Sequence, residues 1–447
     1  MKTRNLFAAI LVITALIFNA CTIEEDNIGD VIINLDSCGD NAGTAILEGK
    51  ITTNRTLKAN ELYELKGGVS VVDGVTLTIE AGTKIIAGDV GGVFSYLAIE
   101  QGAKIIAEGT ASQPIVFTSN KCTPNSGDWG GLLLAGKAPI NRGTTATTEV
   151  ANLTYGGTDP ADNSGILRYV RLEYTGGKIN DDAEYNGLSL YGVGNGTTIE
   201  YIQSFNGNDD GIEFFGGTVN LKYAIVTGAG DDSFDWTDGW VGNGQFWIAQ
   251  QTSAGGDKGI EADNLSSAPD AAPFSNPTLS NITLIGAEDG DGENKGIEFR
   301  AGTKVRMYNT IIKAFPGKGI EIDDDQTLIN LNNNEVIVRN SIIDNANSFD
   351  LDHGTATVDL ADFTSFNNYT KDGSGAPFNN PGTFIPDVNP DEEELKLSGF
   401  RGSYQYTIAI DGVDNFDPST LGTFFDAANY AGALQENDTW TSDWTRL

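Results

Sequence analysis

The sequence predicts an all-β chain wound as a right-handed parallel β-helix, a solenoid closed by a C-terminal capping region. Three observations carry this. Gly, Asn, Asp and Thr punctuate short β-branched runs, with 55 glycines in 447 residues and no long apolar stripe of helical period after residue 20. The segment Leu77-Thr78-Ile79-Glu80-Ala81-Gly82-Thr83-Lys84-Ile85-Ile86-Ala87 recurs 20 residues later as Leu97 to Ala107 without a gap. A tetrapeptide recurs further on, starting at Gly187, Gly211, Ser233, Gly259, Gly296 and Gly319, at spacings of 24, 22, 26, 37 and 23 residues. Most of these spacings suit one turn of a β-helix.

Taken in order, the chain begins with an export signal. Lys2 and Arg4 form a positive start, and Leu6 to Phe18 is an apolar run too short for an ordinary membrane span. The run ends Phe18-Asn19-Ala20-Cys21, which resembles a bacterial lipoprotein signal with Cys21 as the acylated residue. Residues 1–20 are then the signal peptide, with secretion and an unmodified Cys21 as the alternative. The acidic run Thr22-Ile23-Glu24-Glu25-Asp26 resembles the tag that sends Bacteroidota-type lipoproteins to the outer cell surface, so residues 21–45 read as an acidic tether on an outer membrane, facing the exterior. Cys38 and Cys122 remain. An even pair in an oxidising compartment favours a disulfide from tether to body, with two free thiols as the alternative.

Residues 46–350 form the predicted body. In Gly211-Ile212-Glu213-Phe214, alternation sends Ile212 and Phe214 to the core and Glu213 outward. The long spacing after Gly259 requires an insertion, and Asp263 to Pro277 supplies one. Residues 351–447 lose the repeat, and the tail containing Trp440 and Trp444 is expected to cap an open end as a packed aromatic element, or to stack on sugars.

Charge narrows the partners. With 62 acidic against 27 basic residues, the net charge is −35. Such a surface repels phosphate backbones, so nucleic acid is excluded as a partner. Acidity also serves plain solubility. Aligning the rung starts places Glu213, Asp235, Glu261, Glu298 and Glu321 in one outward column. At a rung spacing of about 4.8 Å, neighbouring carboxylates repel by about 0.9 kcal/mol in water and about 3.5 at an effective dielectric of 20. Lys258, Lys295 and Lys318 precede the later strands, and Arg300 would stack between Asp263 and Asp323. The earlier rungs carry Asp210 and Asp232 at the lysine position instead. Asp209, Asp210, Glu213, Asp231, Asp232 and Asp235, with Asp238 just beyond, therefore form a candidate calcium site, since calcium takes six to eight oxygens at flexible geometry. Solvated acidic turns are the plainer reading, because Asp-Asp-Gly is ordinary turn chemistry.

At these residues the chain resembles the pectin-lyase-like superfamily of right-handed β-helices. The run Asp209 to Asn220, then Gly230-Asp231-Asp232, is more closely similar to uncharacterised bacterial outer-surface β-helix lipoproteins. Gly127-Asp128-Trp129-Gly130-Gly131 fits that group too. The resemblance implies fold and location, with no established activity. Enzymatic members of the superfamily degrade polysaccharides, and Asn208-Asp209-Asp210 and Gly230-Asp231-Asp232 partly echo hydrolase motifs. By that analogy Asp209, Asp231 and Asp232 would be acid and base, and Arg300 or Lys258 the proton acceptor of a lyase. Arg resists deprotonation, and the basic motif of the hydrolases is missing. His353, the lone histidine, sits in Asp350-Leu351-Asp352-His353-Gly354 and reads as a turn residue.

Three functions follow: a surface binding or adhesion module for a polysaccharide or surface protein, a polysaccharide lyase or glycoside hydrolase, and an accessory lipoprotein of an outer-membrane uptake complex. An exposed aromatic such as Trp240 beside the column would favour the first, and a groove beside Asp209 to Asp238 with paired carboxylates the second.

Overall fold

The computed structural model describes residues 45–180, 183–252, 255–287, 294–345, 347–350, 369–370, 416–435 and 438–446. Cys21, Cys38, His353, the export segment and nearly all of the tether lie outside the described residues. The chain coils as a right-handed β-helix whose parallel strands form three faces. One face carries the acidic column. Its strands Leu188–Tyr191, Ile212–Phe215, Phe234–Thr237, Lys258–Ala262, Lys295–Phe299, Lys318–Ile322 and Asn347–Asp350 stack in that order. Pairing runs Ser189, Glu213, Asp235, Glu261, Glu298, Glu321, Asp350, so the expected column is real and Asp350 extends it.

The two other faces share long strands that bend midway, as in Gly165–Glu173, Thr198–Phe205, Asn220–Thr227, Asn243–Gln250 and Thr278–Ile285. At each bend one residue adopts a left-handed backbone: Tyr169, Tyr201, Tyr223, Phe246 and Asn281, with φ between 51° and 60°. Bulky residues rarely adopt this conformation. Here stacking supports it: the Tyr169, Tyr201, Tyr223 and Phe246 rings follow one another at 4.3, 4.4 and 5.0 Å.

Alternation fills the core as expected. Ile212, Phe214, Phe234, Trp236, Ile260, Ile297, Phe299, Ile320 and Ile322 are fully buried in one continuous cluster. The insertion from Asp263 to Pro277 leaves the coil where expected, and buried Asn264 folds it back by donating to Pro269 O and Ala271 O and accepting from Ser275 N. A single α-helix among the described residues, Asp325–Asn332, is capped by Asp324 accepting from Thr327 N.

The structure places the early repeat, and it corrects one expectation. The repeat of 20 residues is not one rung: Leu77 stacks on Ile105 and Leu97 on Leu132, so the two copies lie on different faces. Each copy is a strand, a Gly turn (Gly82 and Gly102, both φ 80°) and a strand, and that unit turns any corner of the coil. Nor does the described tail, residues 416–435 and 438–446, close an end. It lies along the flank over the bend column. Arg171 donates to Trp444 O, Gln245 to Asp426 O, Asn281 to Tyr430 O and Asn309 to Phe416 O. Trp444 sits edge-on to Tyr169 and Tyr201. Outward isoleucines of the third face, Ile225, Ile248, Ile311 and Ile342, need this cover.

Candidate functional site

Two arms leave the coil and roof the start of the acidic face. One spans residues 137–164 and holds the short antiparallel pair Ala146–Thr147 and Thr154–Tyr155; the other pairs Lys178–Asn180 with Ala183–Glu184. Ile140, Val150, Leu153, Tyr155 and Tyr185 pack on the outward side chains of Leu133, Ala135, Tyr191 and Phe215. Asp238, fully buried, pins the first arm by accepting from Arg142 Nε at 2.6 Å and Tyr155 OH at 2.7 Å, so its role is structural. The arms cover the start of the face expected to be a solvated display, and the column is buried along its length: Glu213, Glu261, Glu298 and Glu321 are each no more than 9% exposed. Burial changes the energetics, because ionised carboxylates out of water need partners.

The later rungs have them. Lys258 Nζ lies 2.9 Å from Glu261 and 3.5 Å from Glu298, and Lys295 Nζ lies 2.7 Å from Glu298 and also pairs with Glu321. Arg300 binds Asp263 at 2.7 Å and pairs with Glu261. Lys318 reaches Asp350 at 2.8 Å. Burial opposes ionisation of Glu298, yet the Lys295 hydrogen bond and the neighbouring cations hold its carboxyl below the usual range.

The earlier rungs do not. Among the described residues, no salt bridge involves Asp209, Asp210, Glu213, Asp231, Asp232 or Asp235. Asp210 Oδ1 accepts from Asp232 N at 2.9 Å and Asp232 Oδ1 from Lys258 N at 2.7 Å, so one oxygen of each aspartate ties its turn to the next rung. Asn186 donates to Glu213, and Asp235 Oδ1 is buried without a partner. Burial, then repulsion from Asp232 and Asp209, pushes the Asp210 carboxyl well above the carboxylate range. Glu213 is raised by burial, then Asp210 and Glu149; Asp235 by burial, then Glu213 and Glu261; Asp232 by burial, then Glu261. Asp209 is pushed up to about 8 by burial and by the charges of Glu184 and Asp231, and Asp231 is raised by burial and Asp257. The structure therefore brings all six residues together. Carboxylate oxygens lie within 4.8 Å of one another in three triads, Asp209–Asp210–Asp231, Asp210–Glu213–Asp235 and Asp231–Asp232–Asp257.

Three participants escaped the sequence reading. Asp257 was legible, because it precedes Lys258 as Asp209 and Asp231 precede Asp210 and Asp232. Glu149, pushed up to about 7 by burial, and Asn186 come from the arms, which carry no repeat to align. Two candidates take other roles. Arg300, bound by carboxylates and raised in pKa, is no proton acceptor, and Lys258 is likewise held charged by Asp232 and Glu261 against its burial. Trp240 is fully buried, stacked 4.0 Å from Phe214, and offers no sugar platform.

A family model described as a pectate-lyase like beta helix domain matches residues 49–386. No curated protein and no solved structure matches the chain.

Proposed function

The chain belongs to the family of pectate-lyase-like β-helix domains, and we propose that it is an exported, surface-anchored binding module whose enclosed acidic cluster takes calcium and through it a glycan. One observation carries the reading: six clustered carboxylates on two rungs lack any ion pair among the described residues, while the same column is neutralised by lysine and arginine from the next rung, Glu261, onward. Buried carboxylates so close together hold either protons or a cation. Asp231 is exposed and gives a glycan hydroxyl access to the cation. The anchor is Cys21, on an outer membrane and facing outward, and Cys38 pairs with Cys122, which lies in an exposed loop. Cys21→Ser should move the protein to soluble fractions; retention in the membrane refutes the anchor. Non-reducing mass spectrometry of the mature chain should yield one bridged peptide pair.

The test of the site is thermal. Calcium at a hundredfold excess over its dissociation constant stabilises by about 2.7 kcal/mol, so chelator should lower Tm and calcium restore it better than magnesium. Asp232→Asn with Asp235→Asn should remove the response. An unchanged Tm and no heat of binding at millimolar calcium overturn the reading. A glycan array run with and without calcium then identifies the ligand.

A glycoside hydrolase is the second reading, favoured by Asp209, raised to about 8, with an Asp231 oxygen within 4.8 Å. That bound falls just below the separation of about 5–5.5 Å between the carboxyl groups of a retaining pair. Incubating each array hit with the protein and with Asp209→Asn decides it. A lyase is disfavoured, because Lys258 and Arg300 are both held in their charged forms.

A further inference from the structure

We propose that the bent-strand flank is a peptide-binding surface whose occupant is the chain's own C-terminal segment, held as a ligand that leaves and returns while the coil stays folded. The bonds between the two are unlike those inside the coil. Gln203 donates to Arg446 O at 2.7 Å and accepts from Arg446 N at 2.8 Å. Gln245 brackets Asp426 in the same way, at 3.0 and 2.8 Å. Arg171 donates to Trp444 O, Lys222 to Phe424 O, Asn281 to Ala428 O and Tyr430 O, and Asn309 to Phe416 O and Ala428 O. Thr283 Oγ1 accepts from Ala433 N at 2.9 Å. Each of these bonds runs from a flank side chain to a main-chain atom of the tail. A surface that grips the main chain holds a polypeptide with little regard for most of its side chains.

The coil is complete without this segment. Strand pairing passes through the same flank residues, Arg171 stacking on Gln203, Lys222 on Gln245 and Gln245 on Ser280, so lifting the tail breaks no rung of the ladder. The described tail contains one short 3₁₀ turn, Pro418–Leu421, and no strand, and its own main-chain bonds close only short turns. Its order therefore comes from the flank. Residues 371–415 separate it in sequence from the last described strand, Tyr369–Thr370, so release leaves it joined to the coil.

Selectivity sits at the end of the segment. Trp444 is fully buried, edge-on to Tyr169 and Tyr201, and Arg446 Nη1 reaches Glu173 at 2.9 Å. Glu173 is buried and is held in place by the coil itself, through Arg171 at 2.9 Å and Thr118 at 2.8 Å. The flank thus offers an aromatic wall and a positioned carboxylate, and Trp444-Thr445-Arg446 supplies the matching ring and guanidinium. Tryptophan and arginine are the side chains that most often dominate such contacts. A bare flank would show Ile225, Ile248, Ile311 and Ile342 to water beside amides that have lost their partners, which keeps the surface occupied.

The experiment uses the full chain with a protease site inserted between residues 371 and 415 and cut after folding. Covalent attachment raises the effective concentration of the tail without adding a contact, so cutting turns its retention into a concentration-dependent equilibrium. The cut tail should stay with the coil through gel filtration. An excess of fluorescent synthetic peptide of residues 416–447 should then replace it, with the far-ultraviolet β signal of the coil unchanged. Trp444→Ala in the peptide should weaken binding by about a hundredfold or more, and N-methylation of the Asp426 amide by about tenfold or more. Asp426→Asn keeps that amide and should weaken binding less, because the side chain's pair with Lys222 leaves it more than half exposed. A tail that leaves only as the β signal is lost is part of the fold, and that result overturns the proposal. So does a cut tail that departs and a peptide that never rebinds. Equal binding of the N-methylated peptide overturns the main-chain grip on which the proposal stands.

Discussion

At Glu213 and Asp235 the acidic column runs without a paired cation among the described residues, and two rungs beyond Asp235, at Glu298, two lysines and an arginine crowd the same structural position. Both regions share strand register, inward apolar neighbours and near-complete burial of the glutamate. They differ three residues before the outward carboxylate, aspartate in one and lysine in the other. One exchange at one turn position thus separates a self-neutralised buttress from a cluster that must recruit its counterions. The fold tolerates both because an outward column contributes little to the core. Neutralisation is decided rung by rung.

The comparison breaks most visibly if the later region is made to resemble the earlier one. Lys295→Met removes the ammonium that Glu298 and Glu321 share while Glu298 keeps Lys258 at 3.5 Å, so the loss should sit near the lower end of the about 3–5 kcal/mol that breaking a buried pair costs. Denaturant unfolding in chelator should show that loss.

The next test reverses a sign. Glu298→Gln should destabilise by about 1–3 kcal/mol, because its lysine partners lose a carboxylate. Asp235→Asn in chelator should be neutral or stabilising, because it removes repulsion from Glu213 and Glu261. In calcium the same Asp235→Asn should be destabilising. Paired unfolding curves with and without calcium check both.

Proton linkage sharpens the contrast further. Asp209, Asp210, Glu213, Asp232 and Asp235 have folded-state pKa values above their unfolded ones. The protonated, folded form is therefore favoured at low pH, and stability in chelator should fall as pH rises from near 4 through about 8, the value for Asp209. Saturating calcium should flatten that slope, since the ion replaces the protons. Glu298 contributes oppositely: its pKa is lowered on folding, so its stabilisation is present above about pH 4.5 and lost as the pH falls below. A slope that is the same with and without calcium would detach the cluster from the ion.

The smallest effect belongs to a pair in open solvent. Arg168 bridges Glu108 at 2.9 Å and Glu200 at 3.1 Å on the second face, with about a third or more of each side chain exposed. Arg168→Ala should cost less than about 1 kcal/mol, and salt should erase most of that difference.

Much of this was legible beforehand, for reasons specific to particular residues. Parity placed Ile212, Phe214, Phe234 and Trp236 inside, and the tetrapeptide starts placed Glu213 to Glu321 in one column, including across the insertion after Ala262. The six carboxylates of the cluster were named from turn alignment alone, and the structure brings them together. Trp240 was misjudged because a residue after a strand has no parity, and its ring folds back onto Phe214. The copies starting at Leu77 and Leu97 match in sequence yet lie on different faces, because local sequence specifies a corner without saying which one.

The sequence by itself determined the periodic part: a parallel coil, its inward residues, the outward acidic column, and the switch from aspartate to lysine along it. These follow from alternation and stacking, which act between near neighbours and repeat with each turn. Only the tertiary structure decided that the arm of residues 137–164 and the pair Lys178–Asn180 with Ala183–Glu184 close over the start of the column, and that the tail lies on the flank over the bent strands. Each depends on surfaces far apart in the chain, such as Asp238 with Arg142 and Tyr155, or Gln203 with Arg446, which no repeat encodes. The burial that turns an acidic stripe into a cluster needing ions belongs to this second group, because desolvation comes from what is packed on a side chain and not from its neighbours in sequence.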